Sequence, residues 1–360
     1  MGYLKKIDFF DFRNFEEYSC DFSKNCNVFF GRNGSGKTNI LEGISLLGKG
    51  KGLRKDKLKN LIKKEKDKFL ISGSYEKNNI SNNIKVYSEF SNNNYKKITS
   101  LNNDLSKESV KYVNNLFNFL YFLPEMERLF LSSPNKRRNF IDQLIYASNI
   151  KYADLVNKYK KSISERFNLL NSNRIDENWL LKLEDNISSF GTEIYFNREK
   201  QIKILDENLK KIKRQEYPYE VSIKIIDTLY HPKLTQTDFL QSLKNSREYD
   251  KLVGGIKNGP HKSDFFCTVN NDYSASQLST GQQKTVVLLI ILAQCNFLVN
   301  ECNLSPILLF DEICSHLDEN NRRILQHITN DFDLQIFMTG TDKNLFSFMS
   351  TNTNFYNITK

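Results

Sequence analysis

The run Gly31-Arg32-Asn33-Gly34-Ser35-Gly36-Lys37-Thr38 fits the pattern G-x-x-x-x-G-K-[ST]. Glycines at those places let backbone N–H groups turn inward around phosphate oxygens, and a following helix N-terminus adds positive potential. In such a loop Lys37 bridges the β- and γ-phosphates and the Thr38 hydroxyl ligates Mg2+. The chemistry needs a strand before the loop and a helix after it. Val28-Phe29-Phe30 supplies a dense apolar run for the first, and Ile40, Leu41, Ile44 and Leu47 recur at helical spacing for the second. A glycine turn with no ligand is the competing reading.

Three further motifs bear on the same chemistry. Pro306-Ile307-Leu308-Leu309-Phe310-Asp311-Glu312 reads as a buried strand that delivers two carboxylates at its C-terminal edge. Asp311 would hold Mg2+ through water, and Glu312 would orient or deprotonate the attacking water, because unassisted water is a poor nucleophile. Strand-end acids are common, so this signal gains force only beside the phosphate loop. Leu278-Ser279-Thr280-Gly281-Gln282-Gln283-Lys284 precedes a long apolar helix. Ser279, the Gly281 backbone and the helix N-terminus can form an anion site, although Ser279 acting only as an N-cap would look the same locally. Ser315-His316-Leu317-Asp318 follows three residues beyond the acid pair.

Other segments must position these residues. Leu4, Ile7, Phe9 and Phe12 predict strands before the phosphate loop, and Phe69 to Ser100 alternates β-prone runs with Asn-rich turns, predicting hairpins. From about Lys136 to Arg214 the period changes to three and four, as in Leu180, Leu183, Ile187 and Phe190, with no proline. After Tyr217-Pro218 strands return at Val221, Ile223 and Ile225, then a helix Val286 to Val299 and the strand Ile307 to Phe310. The 360 residues suit two domains. The expected fold class is α/β: a discontinuous head of residues 1–130 and 215–360, interrupted by a mostly helical arm of residues 131–214.

Composition bounds the class. Charged residues at 26% and hydrophobic ones at 39% exclude a disordered chain. The longest unbroken apolar run, Val286 to Ala293, is shorter than the roughly 18–20 residues of a membrane span, and Met1-Gly2-Tyr3-Leu4-Lys5-Lys6 has no secretory apolar stretch. The expectation is a cytoplasmic chain without a membrane. Six cysteines with no CxxC pair and four scattered histidines build no zinc site. A net charge of +10 suits a polyanion such as nucleic acid, but equally a lysine-rich solvated surface, and charge alone leaves that open.

The four elements in this order resemble the ABC-type ATPase heads that include the SMC proteins, and within them the RecF family of bacterial recombination mediators. Phe12-Arg13-Asn14, Gly36 to Asn39, Leu41-Glu42, Leu53-Arg54, Phe122-Leu123-Pro124-Glu125, Arg137-Arg138 with Phe140 and Asp142, Gly259 to Asp264, and Gln335 to Asp342 carry the likeness. It implies an ABC/SMC-type P-loop ATPase head with an arm called lobe II. It further implies ATP and Mg2+ as cofactors, with ATP gripped between two copies in an ATP-dependent homodimer. One copy supplies Gly31 to Thr38, with Arg13 and Asn39, and the other Ser279, Gly281 and Gln282. It also implies binding of single-stranded and gapped duplex DNA, weak DNA-stimulated ATP turnover, and RecR and RecO as partners in loading RecA, with roles in replication and the SOS response. Arg54, Arg137 and Arg138 match family positions for DNA contact, with Lys49, Lys51, Lys55 and Lys57 as further candidates. Met126 and Ser132 depart from the family's usual Asp and Gly, and Met338-Thr339-Gly340-Thr341 stands where transporter ATPases carry a switch histidine. Another SMC-like ATPase, or a DNA scaffold that does not hydrolyse ATP, are the alternative readings.

Overall fold

The computed structural model describes residues 2–212, 219–270, 273–315 and 317–359, so His316 and the Tyr217-Pro218 break lie outside the described residues. The chain divides into two compact units, Met1–Glu127 with Leu298–Lys360, and Arg128–Phe297.

The first unit holds two five-stranded sheets. One is antiparallel, with β1 (Gly2–Phe12), β2 (Phe15–Asp21), β4 (Leu70–Lys77), β5 (Ile80–Ser91) and β6 (Asn94–Leu101) in the order β2-β1-β4-β5-β6. Two of its hairpins turn on Asn78-Asn79 and Asn92-Asn93, all four at positive φ, which matches the strand twist and which asparagine tolerates best after glycine. The other sheet is parallel throughout: β3 (Cys26–Phe30), β7 (Phe119–Phe122), β11 (Ile307–Phe310), β12 (Ile336–Gly340) and β13 (Asn354–Asn357), in the order β13-β3-β12-β11-β7. Unbroken apolar strands such as Ile307 to Phe310 are what a sheet buried on both faces requires.

Helices α1 (Lys37–Leu46), α2 (Leu58–Leu61), α3 (Lys107–Leu116) and α10 (Glu319–Asn330) complete this unit. One core joins Leu4, Ile7 and Phe9 of β1, Ile40, Leu41 and Ile44 of α1, and Phe29, Leu309 and Phe337 of the parallel sheet. Gly43 makes the close packing of α1 possible, since a Cβ there would lie 2.2 Å from the Phe9 ring. A side-chain amide also links the two sheets. Buried Gln335 accepts from Leu4 N–H and donates to Leu4 C=O, both at 2.8 Å, as a neighbouring strand would.

The second unit contains α4 (Pro134–Ser148), α5 (Lys151–Leu170), α6 (Glu177–Lys211), α7 (Gln236–Asn245), α8 (Arg247–Val253) and α9 (Thr280–Asn296). With them is a three-stranded sheet of β8 (Val221–Ile226), β9 (Asp264–Val269) and β10 (Tyr273–Ser274) in the order β10-β9-β8. The division therefore differs from the expected arm of residues 131–214, because residues up to Phe297 cluster with those helices. Buried ion pairs are the reason. Arg166 of α5 reaches Glu184 of α6 at 3.0 Å and Asp250 of α8 at 2.7 Å, and Arg198 of α6 donates to Asp142 of α4 and to Ser263 Oγ. These bonds fasten the helical hairpin to segments that the periodicity assigned to the head.

The stretch Thr280–Glu301 is also long and apolar enough to cross a membrane by length and composition, a point that counting only the unbroken apolar run misses. Of its most apolar 18-residue window, 78% is buried within the protein. Gln294 inside it accepts from Gln201 and donates to Leu144 C=O, so it serves as a core helix with satisfied polar groups.

Candidate active site

The phosphate loop runs from the end of β3 to the start of α1, as the motif requires. Gly31, Gly34 and Gly36 all lie at positive φ. At Gly36, the N-cap of α1, a Cβ would also lie 2.6 Å from the Phe15 ring and 2.7 Å from Asn14, so only glycine fits. The Lys37 ammonium donates to Gly31 C=O at 2.7 Å and Arg32 C=O at 3.0 Å. Burial pushes its pKa down, opposed by the carboxylates of Glu312 and Asp311. Arg32 and Asn33 are exposed on the loop, whereas the Ser35 hydroxyl is buried with no hydrogen-bond partner among the described residues. An orphan donor in a ring of inward amides suits a phosphate oxygen.

The acids arrive from β11. Thr38 Oγ1 donates to Asp311 Oδ1 at 2.9 Å, which joins the two motifs across 273 residues of sequence. Strand β12 lies between β3 and β11, and its Thr339 hydroxyl donates to the same Asp311 oxygen at 2.7 Å. Glu312, next in the chain, adopts φ 49, a left-handed conformation unusual for a glutamate. Ser315 Oγ donates to Glu127 Oε1 at 3.0 Å, so the segment after the acids is fixed by a carboxylate to which the sequence reading gave no role.

Other expected nucleotide contacts are placed differently. Arg13 does not lie free for a nucleotide. Its guanidinium is bidentate to buried Glu42 at 2.8 and 2.9 Å and also binds Asp56 and Asn60 C=O. Asn14 does the nearby work, donating to Ser35 C=O at 3.1 Å and accepting from Asn39 at 2.6 Å, so it braces the phosphate loop against α1. The Asn39 carbonyl in turn accepts from Arg54 at 3.1 Å. Arg54, expected at DNA, keeps 43% of its side chain exposed at this edge.

In the second unit, Ser279 caps α9 in a reciprocal box with Gln282, each side chain accepting from the other's backbone N–H. The N-cap reading therefore holds locally. It leaves Gly281, on the first turn, facing open space. Arg137 and Arg138, expected at DNA, have internal partners. Arg137 is bidentate to Asp264 at 2.7 and 2.6 Å, donates to Phe130 and Ser132 carbonyls, and is only 15% exposed. Arg138 donates to Ser263 C=O and is half-buried, and burial with the nearby Arg198 charge lowers its pKa. Both hold the fold of this unit. Charge and scarcity of arginine pointed to DNA, but the carboxylate partner lay 127 residues away.

His261 is partly buried and paired within its own unit. Its Nε2 faces Ile256 C=O at 3.0 Å and so carries the proton, which leaves Nδ1 to accept from Tyr159 O–H at 2.9 Å. Burial lowers its pKa to about 4. Because the folded state holds it neutral while the unfolded chain takes a proton below pH 6.5, its contribution is complete above pH 6.5. That contribution is lost as pH falls through about 4. Roughly 3 kcal/mol should disappear over that window. Urea unfolding from pH 7 to 4 should show a shallower loss in His261→Asn, and parallel curves would remove this account.

A family model for the RecF/RecN/SMC N terminal domain matches residues 3–360. The DNA replication and repair protein RecF of Rickettsia prowazekii (strain Madrid E) is 32% identical over 351 residues, covering 94% of each chain. The protein of the same name from Rickettsia felis is 30% identical over 348 residues, covering 94% of this chain and 93% of that one. A solved structure of "the recombination mediator protein RecF-ATPrS in RecFOR pathway" aligns with TM-score 0.83 at 25% identity, over 97% of this chain and 94% of that one. An Smc head bound to the C-winged helix domain of ScpA, 16% identical with TM-score 0.55 over 96% and 92% of the two chains, shares the fold.

Proposed function

Because the chain belongs to the RecF family of the RecF/RecN/SMC N terminal domain group, we propose that it is an ATP-gated DNA clamp of recombinational repair. One observation carries the reading: the Thr38–Asp311 hydrogen bond, which brings a phosphate loop and a strand-end acid pair into one site. Lys37 exchanges its bonds to Gly31 and Arg32 carbonyls for phosphate oxygens, and the Ser35 hydroxyl gains the partner it lacks. Thr38 and Asp311 offer the hard oxygen donors that Mg2+ prefers and would hold it, and the cation would supply neutralisation of phosphate charge. Glu312 takes the proton of the attacking water.

Closure follows from charge. The Ser279 and Gly281 end of α9 in a second copy completes the grip on the γ-phosphate, its amides and dipole favouring the anion. Hydrolysis removes the charge that those contacts need, and the dimer loosens. Without a switch histidine, turnover is slow and DNA-stimulated, so it times the clamp. The substrate DNA is gapped duplex with its single-stranded stretch, held through phosphates with little base readout. With Arg137 and Arg138 committed to internal partners, the contacts fall to Arg54 and the lysines near it. RecR and RecO act with this clamp in the cytoplasm to let RecA displace single-strand-binding protein.

Lys37→Ala tests the scheme. ATP-dependent retention of gapped DNA, measured against ADP, no nucleotide and blunt duplex, should fall at least tenfold, and wild-type retention should drop steeply with salt. Equal retention by both proteins at moderate salt would end the proposal.

A further inference from the structure

We infer that Thr339 is a positioning residue for ATP hydrolysis, its hydroxyl coupling the metal-binding acid to the general base. The inference deepens the ATPase reading and rests on it. Thr339 sits near the end of β12, the strand interposed between the phosphate-loop strand and the acid strand, and it is fully buried. Its Oγ1 donates to Asp311 Oδ1 at 2.7 Å and accepts from Glu312 N–H at 2.8 Å. A hydroxyl is the smallest side-chain group that can donate to one neighbour and accept from the next.

Two consequences follow from that pair of bonds. Asp311 Oδ1 is shared between Thr38 and Thr339, so when Thr38 turns to a cation Thr339 still fixes the carboxylate. Glu312 is held at φ 49, a conformation that persists only where surrounding contacts impose it, and its backbone N–H bond to Thr339 is such a contact. The β-branched side chain adds a restricted χ1, so the hydroxyl is placed before any ligand arrives. Backbone pairing of Thr339 with Phe29, one residue before the end of β3, ties the same group to the phosphate loop.

Thr339→Val keeps the shape and removes both bonds, whereas Thr339→Ser keeps the hydroxyl. The valine variant should lose roughly 10- to 100-fold in kcat, because small misplacements of reacting groups have effects of that size. Its affinity for a fluorescent ATP analogue should stay within about threefold. The serine variant should recover most of the rate. Thermal melts check that both fold. Valine turnover at the wild-type rate, or a serine variant as slow as valine, overturns the inference. Amide hydrogen exchange at Glu312, read without nucleotide, separates this from failure of the ATPase reading itself. Should wild-type protein turn over no ATP, that reading fails. Faster exchange in the valine variant alone would still show Thr339 holding the base, and unchanged exchange would refute it.

Discussion

Replacing Glu312 by Gln should cut ATP turnover by roughly 10²- to 10⁴-fold, the usual contribution of a positioned base, and leave nucleotide affinity within a few fold. The amide is isosteric with the carboxylate, so the left-handed backbone at this residue and its N–H bond to Thr339 have no reason to change. On the proposed reading ground-state binding would rest on Lys37, Thr38 and the loop amides, whose hydrogen bonds the substitution leaves in place while it removes the Glu312 charge that acts on Lys37. A loss confined to kcat is the mark of a group that acts only in the transition state. Trapped before hydrolysis, the variant should accumulate as a dimer with ATP. Phosphate release and light scattering check the two halves separately. A monomer at saturating ATP removes the two-copy grip. Wild-type protein with no turnover to lose would favour the scaffold reading.

Arg198→Ala should destabilise the second unit by about 3–5 kcal/mol, the range for stripping one partner from a buried ion pair. Burial alone would push the Arg198 pKa down, but Asp142 and Tyr152 outweigh it and hold the charge in place. The guanidinium makes bidentate bonds to Asp142 at 2.9 and 3.0 Å and also binds Pro260 C=O and Ser263 Oγ. Removing it leaves the Asp142 charge buried, with the Tyr152 hydroxyl as a remaining partner. Trp179, the single tryptophan, lies at the start of the same helix and reports unfolding of this unit by fluorescence. A pair of apolar replacements, Arg198→Met with Asp142→Leu, should recover much of the loss. A single-variant cost below about 1 kcal/mol would mean the pair does little for stability.

What the sequence made legible was local. The phosphate loop could be placed because its strand, glycines and helix occupy consecutive residues, and the Asn-rich turns of the antiparallel sheet follow from the residues that tolerate positive φ. The acid strand was visible as a short apolar run with a charged end. Groups whose partners are remote could not be read. Arg166 and Glu184 look like members of a solvated helix face, yet each is almost fully buried against the other. That hidden pairing, with Asp250, is why the second unit extends far past residue 214. Arg13, Arg137 and Arg138 were assigned by charge and likeness, and all three bind carboxylates or carbonyls in their own unit. Asn14 and Thr339 carried no signal of their own beyond membership in matching segments. Their roles appear only when the turn after β1 meets the phosphate loop, and when β12 slots beside β11.

The amide that Gln335 lends to Leu4 bears on the order of events during synthesis. Strand β1 is finished by a side chain made 331 residues later, and β3 likewise waits for β12 and β13. Contacts of such separation are slow to form because the loop between them must close first. Residues 128–297 are one uninterrupted segment and can settle while translation continues. The first unit therefore stays incomplete until its second segment, Leu298–Lys360, has been made, with apolar strand edges open in the meantime.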